Sequence, residues 1–267
     1  MKVTMNYEKD VRPVLFNISV PFITMVVSIL PAFATLFAVV WSVLYNFDAA
    51  TRTHCGVYNF LPSISAAIGQ FSPQKYIWRI CIALHCGPRF LLALSYYNYH
   101  TSIDTGKYDQ LYKAGAALCS LLHIIENVAL VVLSYISSDD NYAIHENMFI
   151  TFIVTSILYM MLTCFLFSWG RTQNGRQLTR LEKKSLNYKV YIFFFNISIF
   201  LLSLYFFFRH NRHCEPRVYS VFAALEYVVV FSNIAFHATL YFDVPNYTLA
   251  LGDHTLFRAD SNSNKLL

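Results

Sequence analysis

Hydrophobic residues in this chain run in long blocks rather than in the short alternations of a soluble domain. Six blocks, at 18–45, 76–99, 111–136, 147–169, 189–208 and 218–242, each reach the length of about 20 residues that a helix needs to cross a bilayer. They predict an all-α fold, a polytopic membrane bundle of six transmembrane helices over 1–242. Pro21 and Pro31 in the first block and Pro88 in the second are expected to kink their helices. Pro88 also frees the carbonyl of Leu84, beside His85 and Arg89. The longest connection, 46–75, holds Cys55-Gly56, Pro62, a SISAAIG run and Pro73, which predicts a structured loop or short re-entrant element over the bundle. The stretch 243–267, ending ADSNSNKLL, is polar and reads as a disordered cytosolic tail.

Polar residues interrupt the blocks at depths where ionisable groups are costly and therefore face one another or a wet cavity. Arg79, His85 and Arg89 fall in the second block, His123, Glu126 and Asn127 in the third, and Glu226, Asn233 and His237 in the sixth. At 100° per residue, Tyr219, Asn233 and His237 all lie within about 20° of Glu226, so one polar stripe runs down the sixth helix. His85, Glu126, Asn127 and Glu226 each sit roughly eight to ten residues from the same end of their blocks, about 12–15 Å deep. Shared face and shared depth define one candidate layer. His145 and Glu146, at the start of the fourth block, and Arg79 stand above it.

Composition changes the picture little. The 267 residues are 56% hydrophobic and 13% charged, which leaves no room for a separate soluble domain. Tyr76, Trp78, Tyr99, Trp169, Tyr188 and Tyr241 sit near block ends, as interfacial aromatic belts do. The polar start MKVTMNYEKD followed by a long first block reads as an uncleaved signal anchor rather than a cleaved signal peptide. Lys2, Lys9, Arg12, Lys107, Lys113 and the basic connection 171–189 share one side, which puts both termini in the cytosol, against a smaller basic group at Arg209, Arg212 and Arg217. The net charge of +5 thus reports topology and calls for no nucleic acid. Cys55 and Cys214 fall on the luminal side, where oxidising conditions permit a bridge; two unrelated thiols are the alternative. Glycosylation-type triplets at Asn17, Asn196 and Asn246 fall outside the luminal loops.

A histidine beside a carboxylate is the arrangement that deprotonates a hydroxyl near neutral pH. His85, His123, Glu126, Asn127 and Glu226 are the candidate catalytic residues, with His85 or His123 as base, Glu126 or Glu226 orienting it, and Asn127 or Tyr219 facing an oxyanion. Arg79, Arg89, Tyr219, Asn233, His237, His145 and Glu146 are candidate substrate contacts, the arginines suited to a phosphate. Two plainer readings compete: the same pairs can simply tie helices together, and Arg79 can snorkel to the interface. His85, His123, His237 and a Glu offer zinc ligands, but no compact HxxxH or HExxH spacing occurs, so no metal or other cofactor is expected.

THCGVYNFLPSISAAIG (53–69), QKYIWRICIALHCGPRFLLA (74–93), HIIENVALVVLSYISS (123–138), IHENMFI (144–150), FRHNRHCEPRVYSVFAALEY (208–227) and NIAFH (233–237) resemble, in order, the post-GPI-attachment branch of the Frag/DRAM/Sfk superfamily of six-span membrane proteins. The similarity covers nearly the whole chain outside the N-terminus and the tail, and is weakest around 100–118 and 170–190. It implies a Golgi membrane protein acting on glycosylphosphatidylinositol (GPI) anchors, restoring a saturated chain at sn-2 of lyso-GPI. The implied partners are that lipid or a GPI-anchored protein, an acyl donor, the bilayer and other GPI-remodelling proteins. An enzyme and a non-catalytic lipid-presenting or sorting protein both remain open on the residues alone.

Overall fold

The structure, a computed structural model, describes residues 16–251 and 257–259. Lys2, Lys9, Arg12 and the polar start MKVTMNYEKD, which enter the topology and signal-anchor readings, lie outside them. Among the described residues six helices are long and apolar enough to cross a membrane. These are α1 (Val20–Tyr45), α4 (Gln74–Thr101), α5 (Asp109–Tyr135), α6 (Tyr142–Arg171), α7 (Arg180–His213) and α8 (Val218–Ala238). Shorter helices intervene: α2 (Phe47–Ala50), α3 (Ile64–Gly69) and α9 (Leu240–Asp243). A small antiparallel sheet, β1 (Phe16–Ser19), β2 (Tyr247–Leu251) and β3 (Phe257–Ala259), is the minor exception to an all-α fold.

The bundle has two distinguishable ends. At the sheet end β1 pairs with β2 in the register Phe16↔Leu251 to Ser19↔Thr248, so both ends of the described chain are clamped together. Of the stretch read as a tail, 247–251 and 257–259 are therefore strands, and 252–256 and 260–267 lie outside the described residues. Pro21 falls in the first turn of α1, where no backbone N–H is needed, so it starts that helix instead of kinking it. Pro31 and Pro88 lie inside α1 and α4, as their positions in the blocks predict.

At the opposite end the connection 46–73 folds into α2, α3 and an extended run that crosses the bundle. Cys55 and Cys214 are joined in a disulfide, with Cα atoms 5.3 Å apart. Ser220 Oγ accepts the Phe60 and Leu61 N–H groups at 2.7 and 3.1 Å, and Tyr227 donates its hydroxyl to the Pro62 carbonyl. Ser63 caps α3 by accepting the Ala66 N–H at 3.2 Å. A backbone crossing a membrane mouth must have its polar groups satisfied, and α8 supplies most of the partners. Between α5 and α6 the Ser137 N–H and hydroxyl both donate to Asp140, which holds that carboxyl below its usual range.

Packing follows small residues. Ala34 and Ala38 of α1 meet Ala67 and Ile68 of α3 and Trp78 and Ile82 of α4 in one buried cluster. α7 differs, exposing Tyr191, Phe194, Leu201, Tyr205 and Phe208 on a face that fits lipid. It also begins nine residues before its apolar block, at a capping box in which Thr179 Oγ1 accepts the Glu182 N–H and the Glu182 carboxylate accepts the Thr179 N–H.

Cys214→Ser should lower the thermal midpoint of the detergent-solubilised protein, losing about 2–5 kcal/mol, the usual range for a native bridge that closes a long loop. Unfolding under non-reducing conditions measures it. An unchanged midpoint would mean that the hydrogen bonds from α8 hold the connection without help.

Candidate functional site

Arg89 of α4 and Glu126 of α5 form an ion pair of 3.2 Å with both side chains almost wholly buried. Around it gather three histidines. Arg89 Nε donates to His123 Nε2 at 3.2 Å, Arg89 Nη1 contacts His85 Nε2 at 3.2 Å, and Arg89 Nη2 lies 2.8 Å from His237 Nε2. His237 Nε2 is also 3.0 Å from Glu126 Oε1. Asn233, one turn earlier on α8, donates to Glu126 Oε1 at 3.3 Å and to Ser156 of α6 at 2.5 Å. A charge pair at this depth survives only if such partners satisfy its remaining donors and acceptors.

Local sequence explains how each histidine is oriented. Pro31 has no N–H, so the carbonyl of Val27, four residues earlier, lacks its helical donor. His85 Nδ1–H donates to that carbonyl, which leaves Nε2 as the acceptor facing Arg89. The freed carbonyl that serves the site is thus Val27's, released by Pro31, rather than Leu84's, released by Pro88. Tyr159 of α6 stacks against His237 with centroids 5.1 Å apart and lies 4.7 Å from the His123 ring. His237, placed by the sequence among substrate contacts, is the histidine that touches the carboxylate. His237 Nε2 sits between the donor-only Arg89 guanidinium at 2.8 Å and the Glu126 carboxylate at 3.0 Å, so it gives its N–H to Glu126 and leaves Nδ1 basic only where the guanidinium moves off that nitrogen.

The remaining candidates separate from this centre. Asn127 donates to the Cys86 carbonyl at 2.9 Å, bracing α5 against α4. Glu226 shares the α8 stripe, but seven residues from Asn233 its carboxylate accepts the Ile64 N–H at 2.9 Å and holds the start of α3. Tyr219, higher still, packs its ring against His210, 5.1 Å away. Arg79 donates to the Ser134 and Tyr135 carbonyls at 3.3 and 2.9 Å, closing the C-terminus of α5, and lies 3.9 Å from Asp140. His145 Nδ1–H donates to the Ile136 carbonyl, and its Nε2 meets the Ser65 hydroxyl at 2.9 Å. Glu146 is exposed.

Two cavities meet at the centre. One runs toward the disulfide end between Ile82, His85, Leu130, Phe152, Val230 and Ile234, with Ser65 and Glu226 at its far limit. The other, much smaller, runs toward the sheet end past Leu92, Tyr96, Phe236, Lys189 and Asp243. Arg89, His237 and Val27 line both. Ligand atoms of His123, Glu126 and His237 lie within 4.8 Å of one another, a spacing a metal could use. Arg89 already neutralises that carboxylate and contacts both imidazoles, so a divalent cation would have to displace it.

Sequence reading overlooked a second buried polar group at the sheet end. Lys189 Nζ pairs with Asp243 at 2.7 Å and bonds Ser185 at 2.8 Å, while Arg171 pairs with Glu182 and donates to the Asp243 carbonyl at 2.9 Å. A signal was present: Glu182, Ser185 and Lys189 fall within about 60° on one helical face.

Arg89→Met should destabilise the protein by about 3–5 kcal/mol, because it leaves a buried carboxylate without its cation. Arg89→Met combined with Glu126→Gln should be more stable than Arg89→Met alone. Thermal unfolding in nanodiscs compares them; a double variant no better than the single would show that the pair is not coupled in this way.

A family profile described as the Frag1/DRAM/Sfk1/Cwh43P N-terminal domain matches residues 19–247. The chain is 43% identical over 224 residues to a Xenopus tropicalis protein named Acyltransferase PGAP2, covering 83% of this chain and 86% of the relative. It is 41% identical over 239 residues to Post-GPI attachment to proteins factor 2 of Caenorhabditis briggsae, covering 88% and 89%. The Drosophila melanogaster protein of that name is 39% identical over 240 residues, covering 89% and 91%. No solved structure matches. With six membrane-crossing helices and these relatives, the chain belongs to the Frag1/DRAM/Sfk1/Cwh43P N-terminal domain family, among the post-GPI attachment to proteins factor 2 proteins.

Proposed function

We propose that this protein is a membrane-embedded acyltransferase that restores a saturated acyl chain at sn-2 of lyso-GPI in the Golgi. The observation that carries the reading is the buried Glu126–His237 contact, 3.0 Å long, with the Arg89 cation beside it at the head of an apolar cavity. The names carried by its relatives, Acyltransferase PGAP2 and Post-GPI attachment to proteins factor 2, support acyl transfer and a role in GPI-anchor processing.

In this mechanism Glu126 holds His237 Nε2–H and leaves Nδ1 to take the proton of the lyso-lipid hydroxyl. The oxygen attacks the acyl carbonyl of the donor, and Arg89 turns from its histidine partners toward the developing oxyanion. His85 and His123 hold the guanidinium in place between turnovers rather than acting as the base. Asn233 fixes the Glu126 carboxylate. The acceptor's chain occupies the cavity between Ile82, Leu130, Phe152 and Ile234, and its glycerol and inositol phosphate approach from the disulfide end. The disulfide and the basic residues of the sheet end support a luminal position for the first and a cytosolic position for the second, with both termini cytosolic.

The test is acyl transfer by the purified full-length protein in nanodiscs, with lyso-phosphatidylinositol or lyso-GPI as acceptor. His237→Ala and Glu126→Gln should each lower kcat by about 10²–10⁴-fold, the usual range for losing a general base or its orienting group, while lyso-lipid binding persists. Full binding with no transfer by wild type from any donor would instead identify a non-catalytic protein that presents the lipid to a partner.

A further inference from the structure

We infer that Glu226 and Trp78 form a hydroxyl-binding subsite at the disulfide end of the larger cavity, and that it selects a lyso-lipid whose head group carries hydroxyls. The inference rests on the acyltransferase reading above and names what tells the acceptor from other lyso-lipids.

Two polar groups border that cavity without the partners their surroundings call for. Glu226, two turns inside α8, accepts the Ile64 N–H on Oε2 at 2.9 Å. Among the described residues no cation pairs with this carboxylate, and its other oxygen takes no hydrogen bond. Trp78 is only 4% exposed, and its indole N–H has no acceptor. The same short helix, α3, brings the two together: Trp78 packs in one cluster with Ile64 and Ile68, and Glu226 holds the Ile64 N–H. Both residues line the cavity.

Nothing else on that wall can satisfy them. Ile68, Leu133 and Phe149 offer only apolar atoms. The Ser65 hydroxyl is committed, because His145 gives its Nδ1–H to the Ile136 carbonyl and so takes the Ser65 proton on Nε2 at 2.9 Å. An unmet donor in apolar surroundings costs about 1–3 kcal/mol, and a carboxylate without a cation costs more. A donor and an acceptor left open on one cavity mark a place that a ligand atom completes.

The chemistry of that atom follows from the two groups. A carboxylate only accepts and an indole N–H only donates. A hydroxyl answers both, giving its hydrogen to Glu226 and taking that of Trp78 on its oxygen. A primary ammonium answers Glu226 alone, since it has no lone pair, and a quaternary ammonium forms no hydrogen bond with either. A phosphate would answer Trp78 and be repelled by Glu226. The space required at the subsite is that of one oxygen atom.

Position fits the acceptor. Glu226 lies eleven residues before His237 on α8, about 16 Å nearer the disulfide end, from which the head group approaches in the mechanism above. A head-group hydroxyl held there keeps the glycerol directed toward His237.

Purified full-length protein in nanodiscs is titrated with lyso-phosphatidylinositol, lyso-phosphatidylethanolamine and lyso-phosphatidylcholine of one chain length, so that binding is read without transfer. Wild type should bind the inositol lipid about tenfold more tightly than the other two. Glu226→Gln keeps an acceptor for the Ile64 N–H, and Trp78→Phe keeps a ring in the cluster, so each removes half of the subsite with α3 still held. Each should erase most of the preference and leave the Kd for lyso-phosphatidylcholine unchanged. Loss of the Glu226 charge would by itself favour the anionic inositol lipid, so weaker binding of that lipid reports the lost hydrogen bond. A wild type without preference, variants that weaken all three lipids equally, or tightest binding of the ethanolamine lipid would overturn the subsite; acyl transfer by wild type in the same discs would then leave the acyltransferase reading standing. Selective binding that both variants erase, with no transfer from any donor, would keep the subsite and overturn that reading.

Discussion

The Arg89–Glu126 ion pair sets the terms for the rest of the molecule. Two full charges held 3.2 Å apart in the middle of a membrane bundle must neutralise each other and find partners for their remaining donors and acceptors. Glu126 Oε2 has only the ion pair, and the other partners are His123 on the same helix as Glu126, His237 and Asn233 on α8, the latter tied in turn to Ser156 on α6, and His85 on α4 braced by Val27 of α1. Five of the six long helices are therefore committed to one centre. α7 is the one left to face lipid along most of its length, and it is held instead by Asn196, which donates to the Val229 carbonyl and Ser232 of α8 at 2.9 and 2.7 Å.

Proline placement connects backbone to chemistry. A prolyl residue in a membrane helix leaves one carbonyl without a donor, and hydrocarbon offers no water to replace it. Here that carbonyl, on Val27, becomes the anchor that fixes the His85 ring and directs its other nitrogen at Arg89. The structural defect and the orientation of the site have one cause. A comparable economy appears at Glu226, where a carboxylate on the same stripe as His237 meets the first N–H of α3 and ties the crossing loop to the bundle.

Both ends of the bundle are tied across, by different means. The disulfide and a set of hydrogen bonds from α8 brace one end, and the three-stranded sheet with the Lys189–Asp243 and Arg171–Glu182 pairs braces the other. Between them the two cavities share Arg89 and His237 as their ionisable side chains, which places these two groups at the junction where the proposed chemistry would occur.

The six spans, the connection over the bundle and the polar positions Arg89, His123, Glu126, Asn233 and His237 within the spans were legible in the sequence, because apolar length and helical periodicity are local properties of the chain; shared depth draws the common layer through His85, Glu126, Asn127 and Glu226 instead. Position on a helix face shows that a side chain points inward. It does not show which helix lies opposite or at what height two faces meet, since both depend on packing between residues a hundred positions apart. For that reason Glu226 and His237, one stripe in sequence, serve α3 and Glu126 respectively in space. Lys189, counted with the basic connection 171–189, and Asp243, the first residue of the stretch read as a disordered tail, are brought together by the fold as a buried pair. Tertiary packing alone decided which histidine touches the carboxylate, because a 3 Å contact is settled by where three helices cross and by nothing within any one of them.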